Sequence, residues 1–282
     1  MRPPGGVPPI PKTLALIGAA LLLSPVLLEA ILVAPHAVFM DHRSRTGQVF
    51  LVNTGDAPEE VDIDLRFGYP DADSNGTVFI RLIDQPDATE PSAASWIKAY
   101  PRRVVLNPGQ RQVVRLLARP PAELPDGEYW TRLIATSRGS RVAVAGADSG
   151  ITAGLSLQLR TIISVSYRKG AVRTGVAVTD LRAAEEGDSL VIWVGAQREG
   201  NAAYLGTLHY ELVDADQRPR WQVDTPLAVY HQLTRKYVFP IDSVPPGHYT
   251  LTMHLTTERS DLDRNNVLPA PPISRSVEVE VH

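Results

Sequence analysis

At 282 residues, 44% apolar and 21% charged, the chain has the length and apolar content for one large core or two ordinary ones, which excludes a disordered or low-complexity protein. Its formal net charge of −3 gives no basic excess for nucleic acid and no acidic block for a cation partner. The absence of cysteine removes disulfides, thiolate metal sites and a cysteine nucleophile, but says little about compartment, since a domain of this size does not need disulfides.

Arg2 and Lys12 stand ahead of an apolar run from Leu14 to Leu28, broken by Ser24-Pro25. A basic start followed by a short apolar stretch is the pattern of a secretory signal. At about 15 residues the run is short for a membrane span. Ala30 suits the last position before cleavage, although Leu28 stands where a small residue is expected. Residues 1–30 are expected to be a signal peptide, or an inner-membrane anchor if left uncleaved, with the remainder exported.

From Ile31 onward the periodicity is that of strands. Val49 and Leu51 alternate with Phe50 and Val52 before the turn "NTGDAP", and Val61, Ile63, Leu65 and Phe67 alternate after it. "VVLNPGQRQVVRLLARPP" (104–121) reads as strand, Asn-Pro-Gly turn, strand. The 24 prolines and 20 glycines are spread along the chain, so they punctuate many short elements. The best helical candidate past the leader is the short "TDLRAAEEG" (179–187), which Gly187 could equally make a loop. "LPDGEYWTRL" (124–133) and "VPPGHYTLTM" (244–253) share Pro-x-Gly-x-Tyr followed by alternation. A Tyr entering a late strand suits the tyrosine corner of an immunoglobulin-like sandwich. Its recurrence predicts an all-β chain of two immunoglobulin-like β-sandwich domains after the signal segment. They span 31–169 and 170–282, with the boundary in "YRKGAVRTG" (167–175).

At the end of the first lies an unusual stretch. Ile151, Ala153, Leu155, Leu157, Leu159, Thr161, Ile163, Val165 and Tyr167 fall on alternate positions, separated mostly by Thr, Ser, Gln and Arg. That is the pattern of a half-buried strand. It runs for about 17 residues, on the order of 55 Å of extended chain, whereas ordinary strands run about 3–10 residues. One sandwich cannot cover the whole apolar face.

No constellation for chemistry emerges. None of the seven histidines pairs with another at close ligand spacing, and HExxH, GxSxG, Walker and GxGxxG patterns are absent. The acidic clusters "DADSNG" (71–76), "DADQ" (214–217) and "RSDLDRNN" (259–266) read as solvated hairpin tips. The first lacks the Glu that completes a calcium loop. Arg102, Arg103, Arg111 and Arg115 read as outward strand residues, and Trp96, Trp130, Trp193 and Trp221 as core or edge packing. The expectation is a non-enzyme with no cofactor, metal, nucleic acid or small-molecule substrate.

Four stretches, "ILVAPHAVFMDHRSRTGQVFLVNTGD" (31–56), "SAASWIKAYPRRVVLNPGQRQVVRLL" (92–117), "PPAELPDGEYWTRLIATS" (120–137) and "LSLQLRTIISVSYRKG" (155–170), together resemble the PapD-like periplasmic pilus chaperones of the chaperone–usher pathway. The resemblance covers most of 31–170; beyond that it is to a second β-sandwich only. It implies a periplasmic protein that binds pilin-like subunits of a pilus or surface fibre, with an outer-membrane usher as a further partner. The last strand of the first domain would be lent to a subunit whose own sandwich lacks one, by edge pairing and side-chain insertion. Its donor positions would be Leu155, Leu157 and Leu159, extended by Ala153 and Ile151, with Ile163, Val165 and Tyr167 kept in the chain's own core. The family's cleft holds a subunit carboxylate with an Arg and a Lys. Here those positions read His36 and Ser164, neither a permanent cation, which implies a weak carboxylate site unless Arg160 or Arg168 substitutes. A structural or adhesive envelope protein on the same fold is the alternative.

Overall fold

A computed structural model describes residues 31–138, 142–144, 153–155 and 158–282. Among these it is built of strands, with one 3₁₀ turn at Arg264–Asn266, and it holds no helix long and apolar enough to cross a membrane.

The first half contains β1 (Ile31–Ala34), β2 (Ala37–Asp41), β3 (Thr46–Asn53), β4 (Glu59–Ala72), β5 (Val78–Ile83), β6 (Ile97–Tyr100), β7 (Arg103–Leu106), β8 (Arg111–Ala118), β9 (Gly127–Arg138), β10 (Val142–Val144), β11 (Ala153–Leu155) and β12 (Gln158–Lys169). One sheet has the order β1-β3-β8-β6; the other runs β2-β12-β9-β4-β5, with β7 also on β4. The alternation read from the sequence faces these sheets toward one another. Val49, Leu51, Val114 and Leu116 from one side meet Val61, Ile63, Leu133, Ala135, Ile163, Val165 and Tyr167 from the other, all buried. The first segment serves both sheets: β1 pairs antiparallel with β3, and after Pro35-His36 the chain crosses so that β2 pairs in parallel with β12.

The second half contains β13 (Thr174–Glu186), β14 (Ser189–Gly200), β15 (Tyr204–Val213), β16 (Pro219–Val229), β17 (Gln232–Pro240), β18 (Gly247–Thr256) and β19 (Ile273–Val281). Sheets β13-β14-β17 and β16-β15-β18-β19 enclose a separate core that includes Leu190, Ile192, Val194, Leu208, Tyr210, Leu251 and Met253. The chain is thus all-β with two sandwiches. The repeated Pro-x-Gly-x-Tyr has the same geometry in both. The Tyr129 hydroxyl donates to the Pro125 carbonyl (3.0 Å), and that of Tyr249 to Pro245 (2.6 Å). Gly127 and Gly247 share a φ of +157°. Both are tyrosine corners.

Two local expectations are corrected. Residues 179–187 form the end of β13 and its turn, not a helix: Leu181 pairs with Val194 and Ala183 with Ile192, and a bulge between Val178 and Asp180 resets the register. Leu181 and Ala183 pack on the second core, so tertiary pairing overrides the helix propensity of the Ala-Ala-Glu-Glu run. The tip at 71–76 is not simply solvated. Asp73 accepts the Asn75 and Thr77 amides (both 2.9 Å), and the Gly76 carbonyl accepts the Lys236 amide of β17 (2.9 Å), capping an edge strand of the second sandwich. Asp214 and Asp263 likewise cap their own turns, accepting amides of Asp216 and Arg218 in one case and Asn265 in the other.

Between the two cores lies a third, smaller one. Phe67 of β4 and Trp130 of β9 are buried against Ala203 and Tyr230 of the second half. The Trp130 and Tyr230 rings meet edge to face at 4.9 Å. Alongside, Asn201 accepts the Glu128 amide at its carbonyl and the Arg173 amide at its side chain (2.9 and 2.8 Å), and donates to the carbonyls of Asp126 and Ala171. Gly170 turns the chain here at φ +63°, a left-handed conformation that glycine adopts without strain, and a Cβ on it would force the Asp126 carboxyl, 2.0 Å away, to move.

Candidate functional site

β12 is the strand on which the long alternation falls. Ile163, Val165 and Tyr167 point into the first core and are at most 3% exposed. Leu159 shares their face by parity but is 37% exposed. On the adjacent strands the same row is closed: Ser137, opposite Leu159, and Val61, opposite Ser137, are both buried. Among the described residues this row therefore opens at the β12 edge.

The pairing explains why. β9 accompanies β12 along its whole length, from Gln158 to Lys169. On the other side β2 begins at Ala37 and reaches only Ser164 to Arg168. Among the described residues, nothing pairs with Gln158–Ile163 on that edge. Leu159 and Arg160 stand exposed there, and Thr161 and Ile162 are partly covered. An unpaired strand edge with an open apolar side chain is a template for another strand.

Upstream, Ala153 and Leu155 lie in β11, which pairs with β10 through Val142↔Leu155 and Val144↔Ala153. Continuing the Arg138↔Gln158 register would set Val142 opposite Gly154, so the two ladders are offset by one residue. The alternation is thus carried by two separate strands within the described residues. Ile151 and Leu157 lie outside those residues.

His36 and Ser164 come together at the junction. The Ser164 amide donates to the His36 carbonyl (3.2 Å), and its hydroxyl bonds the Tyr230 hydroxyl across the junction (3.0 Å). His36 is exposed and lies within electrostatic reach of Asp261. The Asp261 carboxyl is held below its ordinary range chiefly by hydrogen bonds from Arg259, with a smaller contribution from His36. Arg168 is already engaged. Its Nε pairs with the buried Glu128 carboxylate at 2.7 Å, its Nη1 donates to the Asn266 carbonyl at 2.7 Å, and its guanidinium covers Phe39.

Sequence reading missed Arg132, which lies opposite Ser164 on β9 and is 4% exposed. Its Nε donates to the Gly68 carbonyl (3.0 Å), its guanidinium lies 4.7 Å from the centre of the Tyr230 ring, and its Nη2 has no partner. A signal existed: "YWTRLIATS" has no polar face, which marks a strand covered on both sides. Trp130 belongs to that second covering, in neither sandwich core. Close by, burial pushes the Arg198 and His231 pKa values down, in His231 against the opposing pull of Glu90. Among the described residues no group of three or more His, Asp or Glu side chains could hold a metal.

No family model matches the sequence, and no curated protein is similar to it. Solved structures of pilus chaperones are. The CsuC–CsuE chaperone–tip adhesion subunit pre-assembly complex of Acinetobacter baumannii aligns at 16% identity over 74% of this chain and 90% of that one, with a TM-score of 0.40. The SafA pilin–SafB chaperone complex of Salmonella enterica aligns at 12% identity over 89% and 97%, with a TM-score of 0.44. The E. coli chaperone DraB aligns at 13% identity over 90% and 96%, with a TM-score of 0.40.

Proposed function

We propose that the chain is an exported, periplasmic chaperone-like protein that binds pilin-like subunits of a pilus or surface fibre through the strand ending at Leu159. The observation that carries this reading is the open β12 edge: Leu159 continues the inward face of Ile163, Val165 and Tyr167 past the point where β2 stops covering it. A subunit strand would pair with the backbone of Gln158–Ile163 and take the alternate side chains into its own core.

Magnitudes decide how the work is shared. Burying the open part of Leu159 contributes about 1 kcal/mol, too little alone to hold a partner. Ile151, Ala153, Leu155 and Leu157 would supply most of the apolar burial, with three well-buried leucines contributing on the order of 5–8 kcal/mol before ordering costs. His36 and Ser164 would make at most a weak carboxylate site, since the one is neutral unless protonated and the other has its hydroxyl on Tyr230.

The test is co-expression in the envelope with a fibre subunit that lacks its final strand. Wild type should hold the subunit soluble and co-purify with it, and Leu157→Glu and Leu159→Glu should lose it while staying folded. Variants that fold and retain the subunit at wild-type yield would overturn the reading.

A further inference from the structure

The outer face of the β1-β3-β8-β6 sheet faces away from both cores and from the second sandwich. Its outward positions alternate with the buried ones along each strand, and none of them is Asp or Glu. Lys98, Arg111 and Arg115 supply three cations, all exposed. Between them stand Leu32 (54% exposed), Tyr100 (54%) and Leu117 (40%). Arg111 lies over the Phe50 ring at 4.0 Å, which holds its charge down on the sheet instead of letting it extend into solvent. A sheet face that mixes open apolar groups with charge of one sign, on a chain whose net charge is negative, is matched to an anionic apolar partner.

The chain itself indicates which one. β1 is an edge strand of this sheet, and its first residue, Ile31, follows the apolar run Leu14–Leu28 by two residues. Left uncleaved, that run is an inner-membrane anchor, and the bilayer that receives it comes within a few residues' reach of Leu32. We propose that this face docks flat on the surface of a membrane rich in anionic lipid, with Lys98, Arg111 and Arg115 on the headgroups and Leu32, Tyr100 and Leu117 at the interface. Each cation held near such a surface strengthens binding about fivefold. The open β12 edge belongs to the opposite sheet, so a docked molecule keeps it free.

The chain has no cysteine, so a single one can report on the face. Gln48→Cys sits on β3 among the outward residues and Val238→Cys on the exposed edge strand β17 of the second sandwich. Each full-length variant is labelled with an environment-sensitive fluorophore and reconstituted into phosphatidylcholine vesicles with or without phosphatidylglycerol. Both lipids receive the same full-length chain with its apolar run uncleaved, so insertion of the run does not distinguish them. Emission at position 48 should rise and shift to the blue only with phosphatidylglycerol, and fall back with added salt. Lys98→Gln with Arg115→Gln should weaken that response about 25-fold, with circular dichroism unchanged. Position 238 should not respond. An equal response in both lipids, no response, or one indifferent to the double substitution overturns the proposal. So does a label that answers to an acidic soluble protein and not to lipid.

Discussion

Leu159 and Ile163 lie four residues apart on one face of one strand, and the same substitution at each should have opposite outcomes. Leu159 is 37% exposed and sits beside an edge unpaired among the described residues, so a glutamate there can turn its carboxylate into water. What is lost is the part of the leucine already covered, about 1–2 kcal/mol. In a domain of this size that lowers the melting temperature by about 3–6 °C. Ile163 is 3% exposed and packs in the first core. A carboxylate at that position has no counter-charge and must either stay ionised in an apolar site or take up a proton. Either course costs several kcal/mol, against a total stability of about 5–15 kcal/mol. Thermal melts followed by circular dichroism separate the two: Leu159→Glu should melt cooperatively a few degrees below wild type, and Ile163→Glu should be unfolded or nearly so at room temperature. Subunit capture by the folded Leu159→Glu chain should be lost, because the charge would enter the partner's core. The reasoning fails if Leu159→Glu unfolds as Ile163→Glu does, since the leucine then belongs to this chain's own packing.

Glu128→Ala should cost about 3–5 kcal/mol in urea unfolding, because it leaves Arg168 without the buried carboxylate it meets at 2.7 Å. Tyr210→Phe should be neutral or stabilising by about 1 kcal/mol in the same assay, because the Tyr210 hydroxyl is buried without a partner and its removal ends a desolvation cost. Burial holds His231 below its ordinary pKa of 6.5 in the folded chain, so the unfolded chain takes up the proton first. The stability it contributes is complete above pH 6.5 and is lost as pH falls toward the lowered folded value; melts across this window should show the loss, and His231→Phe should flatten it.

Much of the architecture was legible because it rests on period two. The inward residues of β3, β4, β8 and β12 are those that alternate in the sequence, and the two tyrosine corners follow from a Pro-x-Gly-x-Tyr that appears twice. What escaped was whatever depends on two distant segments meeting. β13 hides its alternation behind small alanines and a bulge at Val178/Asp180, so only its pairing with β14 identifies it. Trp130 read as core or edge packing and Arg132 drew no reading, yet both face Tyr230 across a junction that no local pattern announces beyond the lack of a polar face. The opening at Leu159 depends on where β2 stops, and β2 lies more than a hundred residues earlier in the chain.

The junction also bears on how a partner could be recruited. Its orientation rests on aromatic packing of Trp130, Phe67 and Tyr230, with polar groups spent on one another: Ser164 on Tyr230, Arg168 on Glu128 and Asn266, Arg259 on Asp261. Arg132 keeps an unpartnered Nη2, but its burial is offset by the Gly68 carbonyl and by the face of Tyr230. A carboxylate arriving from outside would have to be desolvated to reach Arg132 Nη2 or else break one of the other contacts, and a broken pair in a buried site costs more than an exposed ion pair returns. The open edge carries no such cost. Among the described residues the Gln158–Ile163 backbone is unpaired on that side and Leu159 is already exposed, so a strand that adds there breaks no described contact. Affinity for a subunit is therefore expected to follow the apolar content of 151–159 and to respond weakly to substitution at His36.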